Sequence, residues 1–401
     1  MPESHIPIPL PGALFFALGA ATAVATLPLA LELLVTTAAS LLPPRRGKRP
    51  NAARKRFFRL AVVVPAHNEE VLIGRCIRSI RASRVQGCEL LVVAHNCTDK
   101  TAQEARQAGA RVLELNDNGK KGKGAALRFG FAKATEEGFH AVFVVDADSV
   151  MTPGSLAAVR DRFCAGARAL QCRYQVLNVQ DSRRTQLMSL ALTGFNVVRP
   201  RGRARLGCSA GIFGNGFGLH RETLDKLPYS AFSVVEDLEY HLQIVRKGMK
   251  VDFVDRACVL GEMPTSNTSS VMQRSRWEGG RLLMARKWAA VLGTDLLHGR
   301  VRAIEPLLEL LSLPLAFECS LLMLALLIPT TWIRLYALCA FATILLHAGA
   351  AVAQSGDWRG SLRALASAPG YVLWKLRTIP AILRGSREGT AWIRTQRGAA
   401  S

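Results

Sequence analysis

Two carboxylates, Asp146 and Asp148, close the apolar run Ala141–Val145 with one residue between them. In an extended segment such residues project the same way, and a loop can turn both toward one ion. Mg²⁺ or Mn²⁺ is commonly held by one or two carboxylates and completed by substrate phosphate oxygens. An ion there would neutralise charge on a departing diphosphate; the plainer alternative is a solvated turn. A second acidic pair, Glu236-Asp237, opens a helical pattern. The helix dipole alone favours acids at that position, and a carboxylate there could also take the proton of an attacking hydroxyl. The third element is Gln273-Arg274-Ser275-Arg276-Trp277. Arg276 can clamp a diphosphate with its planar fork, Trp277 can stack on a sugar face, and Gln273 can bond a hydroxyl. A basic stretch beside a membrane is the competing reading.

Two further segments suit a phosphorylated ligand. Lys120-Lys121-Gly122-Lys123-Gly124 precedes a helical pattern, where glycines let backbone amides approach phosphate. It lacks the Walker spacing. Pro65-Ala66-His67-Asn68-Glu69-Glu70 follows the first apolar run, the place for a base and ribose.

Regular elements must position these groups. Strands are predicted at Leu60–Val64, Leu90–Val93, Arg111–Leu115 and Ala141–Val145, and helices at Glu69–Ala82, Thr101–Ala108 and Lys123–Thr135. Strands separated by helices predict a mostly parallel sheet, with ligands beyond the carboxyl ends of its strands. Every polar motif up to Asp148 falls at such an end. Beyond it come a strand at Gln171–Leu177, a helix near Arg184–Val197, a glycine-rich loop from Gly207 to Gly218 and a helix at Val235–Lys247. Gly279–Leu297 and Leu362–Leu383 are amphipathic, the second broken by Pro369 and Pro380. Helices of this kind suit the membrane interface.

Composition points to a membrane. Of 401 residues 49% are hydrophobic, and three segments reach the ~20 residues that cross a hydrocarbon core. Ala13–Leu42 is interrupted only by Glu32, Leu307–Ile328 by Glu309 and Glu318, and Trp332–Ala353 by Arg334 and His347. Those acids could line an acceptor path or pair with one another. Arg45, Arg46, Lys48, Arg49, Arg54, Lys55, Arg56 and Arg59 follow the first segment, which places the amino terminus outside and the next region in the cytoplasm. The basic tail, including Arg359, Arg363, Lys375, Arg377, Arg394 and Arg397, returns to that side. The expected division is a span in residues 1–43, a cytoplasmic domain in 44–300, two spans in 301–354 and an interfacial tail in 355–401. The net charge of +22 gathers beside the spans, where anionic headgroups attract it. No basic–aromatic motif indicates nucleic acid. Nine scattered cysteines show neither paired nor metal spacing and read as reduced core residues.

The PAHNEE, HNCTD, GKG, DAD, VED and QRSRW motifs, in this order, make the chain resemble the membrane-embedded branch of glycosyltransferase family 2. That branch includes cellulose, chitin and hyaluronan synthases and bacterial exopolysaccharide enzymes. The resemblance implies an inverting GT-A fold in the bacterial inner membrane, a nucleoside-diphosphate sugar donor and a Mn²⁺ or Mg²⁺ ion. It implies nucleoside contacts from Pro65, Ala66, His67, Asn68 and Glu69, and a diphosphate–metal unit on Asp146 and Asp148, with Asp148 the direct ligand. It further implies Lys123 near the donor and Asp237 as base beside Glu236. Gln273, Arg276 and Trp277 would hold the diphosphate and acceptor end, and Gly214-Asn215-Gly216 would face the acceptor. In the HNCTD turn, His95 stands where the family's base-reading aspartate is expected. A neutral imidazole can accept a uracil N–H but brings no negative charge, so a UDP-sugar would be read differently here. Asp99 is expected to cap the next helix.

With only three spans, transfer of one or a few hexosyl or N-acetylhexosaminyl units to a glycan or a polyprenyl or other lipid-linked acceptor fits better than a secretion pore. The competing function is a nucleotide-sugar-binding pseudoenzyme, motivated by His95 alone.

Overall fold

β-branched runs write the first strands, and a computed structural model describes residues 11–45, 52–117 and 122–387. Arg46, Lys48, Arg49, Lys120, Lys121, Arg394 and Arg397 lie outside the described residues. The strands are β1 (Leu60–Ala66), β2 (Cys88–His95), β3 (Arg111–Leu115), β4 (Ala141–Val144), β5 (Ser149–Met151), β6 (Ala169–Val176), β7 (Phe217–His220) and β8 (Val251–Gly261). They form one sheet in the order β3-β2-β1-β4-β7-β6-β8-β5. β1 pairs in parallel with β2 and β4, β2 with β3, and β6 with β8. The short strand β7 runs antiparallel to β4 and β6, and β5 antiparallel to β8.

The sheet is covered on both faces, which explains the unbroken apolar run of β1. Leu60, Val62 and Val64 enter one core, and Ala61 and Val63 enter the other. The helix expected from Glu69 begins only at Ile73. Asn68 takes a positive φ of 56° and the chain turns before the helix starts.

Helices that frame the site are α1 (Pro11–Ser40), α2 (Lys123–Glu136), α3 (Arg199–Leu206), α4 (Glu236–Arg246), α5 (Asn267–Leu297), α6 (Ile304–Leu311), α7 (Leu315–Leu327), α8 (Thr331–Gln354) and α9 (Ala368–Leu376). Two of them, α1 and α8, are long and apolar enough to cross a membrane. The segment expected as one straight span, Leu307–Ile328, is instead broken. The chain bends by 76° between α6 and α7, because Pro314 cannot extend the preceding helix and pushes Leu313 toward extended backbone. Only if the bent pair counts as one are there three candidate spans among the described residues. With 13 residues, α7 alone is about 20 Å long, short of the ~30 Å core.

Of the acids inside the apolar segments, Glu32 and Glu309 meet arginines of the globular region. Glu32 of α1 accepts from Arg199 Nε at 3.0 Å and from Arg203, and Arg203 also pairs with Glu305 at 2.8 Å and Glu309 at 2.9 Å. All five residues are buried. Such charges are tolerable only when paired, so the network fastens α3 between α1 and α6. Packing there is backbone-tight: a Cβ on Gly202 would stand 2.0 Å from the Thr36 carbonyl oxygen. Glu318 is buried, and neither carboxylate oxygen has a hydrogen-bond partner among the described residues.

Candidate active site

β4 delivers Asp146 to the rim of the sheet, and the tight turn into β5 presents Asp148 beside it. The turn is braced from beneath. Asn215 Oδ1 accepts the Asp146 N–H at 3.1 Å, its Nδ2 donates to Ser149 Oγ at 2.8 Å, and that hydroxyl donates to Asp148 Oδ1 at 2.9 Å. Gln171 Nε2 in turn donates to the Asn215 carbonyl at 2.7 Å, and its Oε1 accepts the Phe213 N–H at 3.0 Å. Asn215 is 1% exposed. It therefore supports the acidic turn from behind, a position different from the acceptor contact expected for it, and Gly216 is buried with it.

Lys123, at the start of α2, reaches into the acids. Its Nζ lies 2.5 Å from Asp146 Oδ1 and donates to the Gly214 carbonyl at 2.5 Å. Gly214 needs its positive φ of 76°, and a Cβ there would sit 3.0 Å from Asp237 Oδ2 and 3.7 Å from Lys123 Nζ. Four groups separated by up to 114 positions, Lys123, Asp146, Gly214 and Asp237, thus share one small volume (237 − 123 = 114). Burial opposes the Lys123 ammonium, but the charges of Asp146, Glu236 and Asp237 outweigh it and hold its pKa above the ordinary value.

Glu236 and Asp237 form the first turn of α4. Asp237 Oδ1 accepts the Leu238 N–H at 2.8 Å. Burial raises both carboxyls, Glu236 to about 7; Lys123 opposes the rise, while the charge of Asp237 adds to it at Glu236 and that of Asp146 adds to it at Asp237. A carboxylate in this state holds its proton more strongly than one in water.

Asp146, Asp148, Lys123, Gly214, Glu236 and Asp237 all line one cavity of about 1800 Å³. Pro65, Ala66, His67, Glu69 and His95 line the same cavity, as do Gln273, Arg276 and Trp277 of α5. His67 Nδ1 donates to the His95 carbonyl at 2.8 Å, tying the turns after β1 and β2 together. Asn68 serves the same purpose: its Oδ1 accepts the Thr98 N–H at 2.8 Å. Asp99 Oδ1 accepts the Thr101 N–H at 2.9 Å at the head of the helix Thr101–Gln107. Gln273 is 1% exposed, and its Oε1 has no hydrogen-bond partner among the described residues.

Sequence reasoning missed Asn215's bracing role and the contributions of Gln171 and Ser149. Only the polar residues amid apolar neighbours in β6 and around Gly214 hinted at them.

Among the described residues no three His, Cys, Asp or Glu side chains gather as a metal cage. Two hard carboxylate donors turned into one cavity instead suit Mg²⁺ or Mn²⁺, which take the rest of their shell from phosphate and water. Asp146 and Asp148 fit such an ion.

The model of the family described as glycosyltransferase like family 2 matches residues 58–280. The chain belongs to that family. The probable glycosyltransferase YdaM of Bacillus subtilis is 25% identical to it over 252 residues, 59% of this chain and 58% of YdaM. Protein RfbJ of Shigella flexneri is 35% identical over 71 residues, 18% of this chain and 52% of RfbJ. The chain thus spans little more than half the length of these curated relatives. The mannosyltransferase PcManGT of Pyrobaculum calidifontis, solved with GDP-mannose and Mn²⁺, has a TM-score of 0.54 at 18% identity. The match covers 94% of this chain and 96% of that one. That likeness shows the GT-A fold shared by the two chains.

Proposed function

We propose that this family 2 glycosyltransferase inverts the anomeric centre as it moves a sugar from a nucleoside-diphosphate sugar to a hydroxyl of a glycan or lipid-linked acceptor. The observation that carries this reading is the meeting of Asp237, Lys123 and Asp146 around Gly214. Asp237 takes the acceptor hydroxyl proton, the acceptor oxygen bonds to the anomeric carbon, and the bond from that carbon to the diphosphate breaks. Asp146 and Asp148 would hold a Mn²⁺ or Mg²⁺ ion, which supplies charge neutralisation for the departing diphosphate. Arg276, which lines the same cavity, adds a planar fork suited to phosphate oxygens.

In this reading the nucleoside packs along His67 and His95, which line the cavity, and a UDP-sugar is favoured as donor over one with a different nucleobase. In this reading the chain sits in the plasma membrane with residues 44–300 on the cytoplasmic side, where flanking Lys and Arg belong; the length and apolar composition of α1 and α8 support it. Incubation with a panel of nucleotide sugars and Mn²⁺ or Mg²⁺ tests the reading. Turnover of one donor is expected, and Asp148→Ala should lose both donor binding and transfer. Donor binding without turnover under every condition would point to the pseudoenzyme instead.

A further inference from the structure

The cavity does not end at the carboxylates. It continues past Gln273 and Trp277 to α1, α7, α8 and α9, and its 1800 Å³ exceeds the roughly 300–1,000 Å³ that one small ligand fills. This far part is apolar, lined by Leu33, Met323, Leu324, Leu345 and Leu373 among others. Four of these are also largely exposed, Met323 at 58%, Leu324 at 59%, Leu345 at 70% and Leu373 at 63%. The groove therefore opens sideways at the level of the apolar helices, where the surrounding medium is hydrocarbon.

Cations stand where the polar and apolar parts join. Arg274, Arg276 and Lys375 line the cavity there, with Glu278 as the neighbouring acid. Lys375 is 2% exposed and pairs with Glu278, leaving further ammonium N–H groups to donate. Arg274 Nε and Glu278 Oε2 are buried without hydrogen-bond partners among the described residues, as is the Gln273 oxygen. Positions 273 and 277, and 274 and 278, are four apart on α5, so they share one face. Of these atoms only Arg274 Nε is a donor; a neutral lipid would leave it and the remaining Lys375 N–H groups unanswered, and a purely sugar chain would leave the apolar groove unfilled. Guanidinium and ammonium groups together suit phosphate.

We infer that the acceptor is a sugar carried on a lipid phosphate, with its hydrocarbon chain between α7, α8 and α9, its phosphate on Arg274 and Lys375, and a sugar hydroxyl reaching Asp237. This rests on the transferase reading above for the role of Asp237 alone; the lipid site stands on its own lining.

Binding of a tritiated polyprenyl monophosphate to the purified full chain in nonionic detergent, without donor or metal, tests the site. Saturable binding is expected, with the parent polyprenol at least about tenfold weaker and inorganic phosphate unable to compete. Arg274→Gln should weaken the lipid phosphate about tenfold and leave polyprenol unchanged, whereas Ala348→Trp in the groove should weaken both lipids. Equal binding of alcohol and phosphate, or an indifferent Arg274→Gln, overturns the headgroup assignment. Competition by inorganic phosphate alone, or an indifferent Ala348→Trp, overturns the chain assignment. Lipid binding as predicted without any nucleotide-sugar turnover defeats the transferase reading alone, and turnover without lipid binding defeats this inference alone.

Discussion

The ammonium of Lys123 lies 2.5 Å from the carboxylate of Asp146. This ion pair joins the start of α2 to the end of β4 and places one positive charge among three acids. Without it, Asp146, Glu236 and Asp237 would repel one another in a half-buried pocket. Lys123→Met is expected to lower kcat/KM by about a hundredfold, the order lost with one charged contact to the reacting groups. Steady-state kinetics of the variant against the wild type check this, and unchanged kcat/KM removes Lys123 from the site.

Asn215 governs the acidic turn from behind. Replacing it with Leu breaks the bonds to the Asp146 N–H and to Ser149 Oγ, so Asp148 loses its aim. Supporting groups of this kind typically change metal affinity 10–100-fold. A Mn²⁺ titration of turnover should show that rise in the half-saturating concentration for Asn215→Leu. An unaltered titration would separate Asn215 from the metal-facing turn.

Gly214 tests the close approach of the loop to α4. Gly214→Ala places a methyl 3.0 Å from Asp237 Oδ2 on backbone with φ of 76°. Strain of this kind costs about 1–3 kcal/mol, and the displaced carboxylate should cost activity as well. Thermal unfolding and transfer assays should both fall; a fully active, equally stable variant contradicts the packing described.

Acid should switch the enzyme off. A general base must be ionised, and burial together with its acidic neighbours holds the Glu236–Asp237 pair protonated to higher pH, Glu236 to about 7. The acidic limb of kcat/KM is therefore expected above the ordinary carboxylate range, and Glu236→Gln should move it lower by removing one negative neighbour. The same shift makes the folded chain bind this proton more tightly than the unfolded chain. Stability from Glu236 accordingly falls as pH rises from 4.5 through about 7, and Glu236→Gln removes that slope. A pH profile and a thermal-unfolding series measure the two effects.

The buried arginine network gives a stability prediction. Arg203→Met leaves Glu305 and Glu309 without their shared cation, and breaking a buried pair this way costs about 3–5 kcal/mol. Thermal unfolding in detergent should register a large drop, and an unchanged midpoint would mean the network carries little.

The early strands were legible because β1, β2 and β4 are buried on both faces and therefore spelled as continuous β-branched runs. In the later half β6 and α4 were legible too, but β7 and β8 were not. β8 mixes Asp252, Asp255 and Arg256 into its run, and β7 is only Phe217–His220, too short to show a period. The break at Pro314 was hidden because the apolar composition of Leu307–Ile328 matched a straight span. His67, Lys123, Asp146, Asp237 and the α5 residues were each visible as motifs, and the structure brings them to one cavity. The bracing role of Asn215 was invisible because its partner Ser149 lies 66 positions away, and no local pattern encodes such a contact.

In the proposed reaction Asp237 removes the acceptor proton at a centre shared with Lys123 and Asp146. Single-turnover transfer by Asp237→Asn, with donor binding measured on the same preparation, tests it most directly. Transfer should drop by a factor on the order of 10²–10⁴, the usual share of a general base, while donor affinity stays close to wild type. Full transfer by Asp237→Asn would contradict the account.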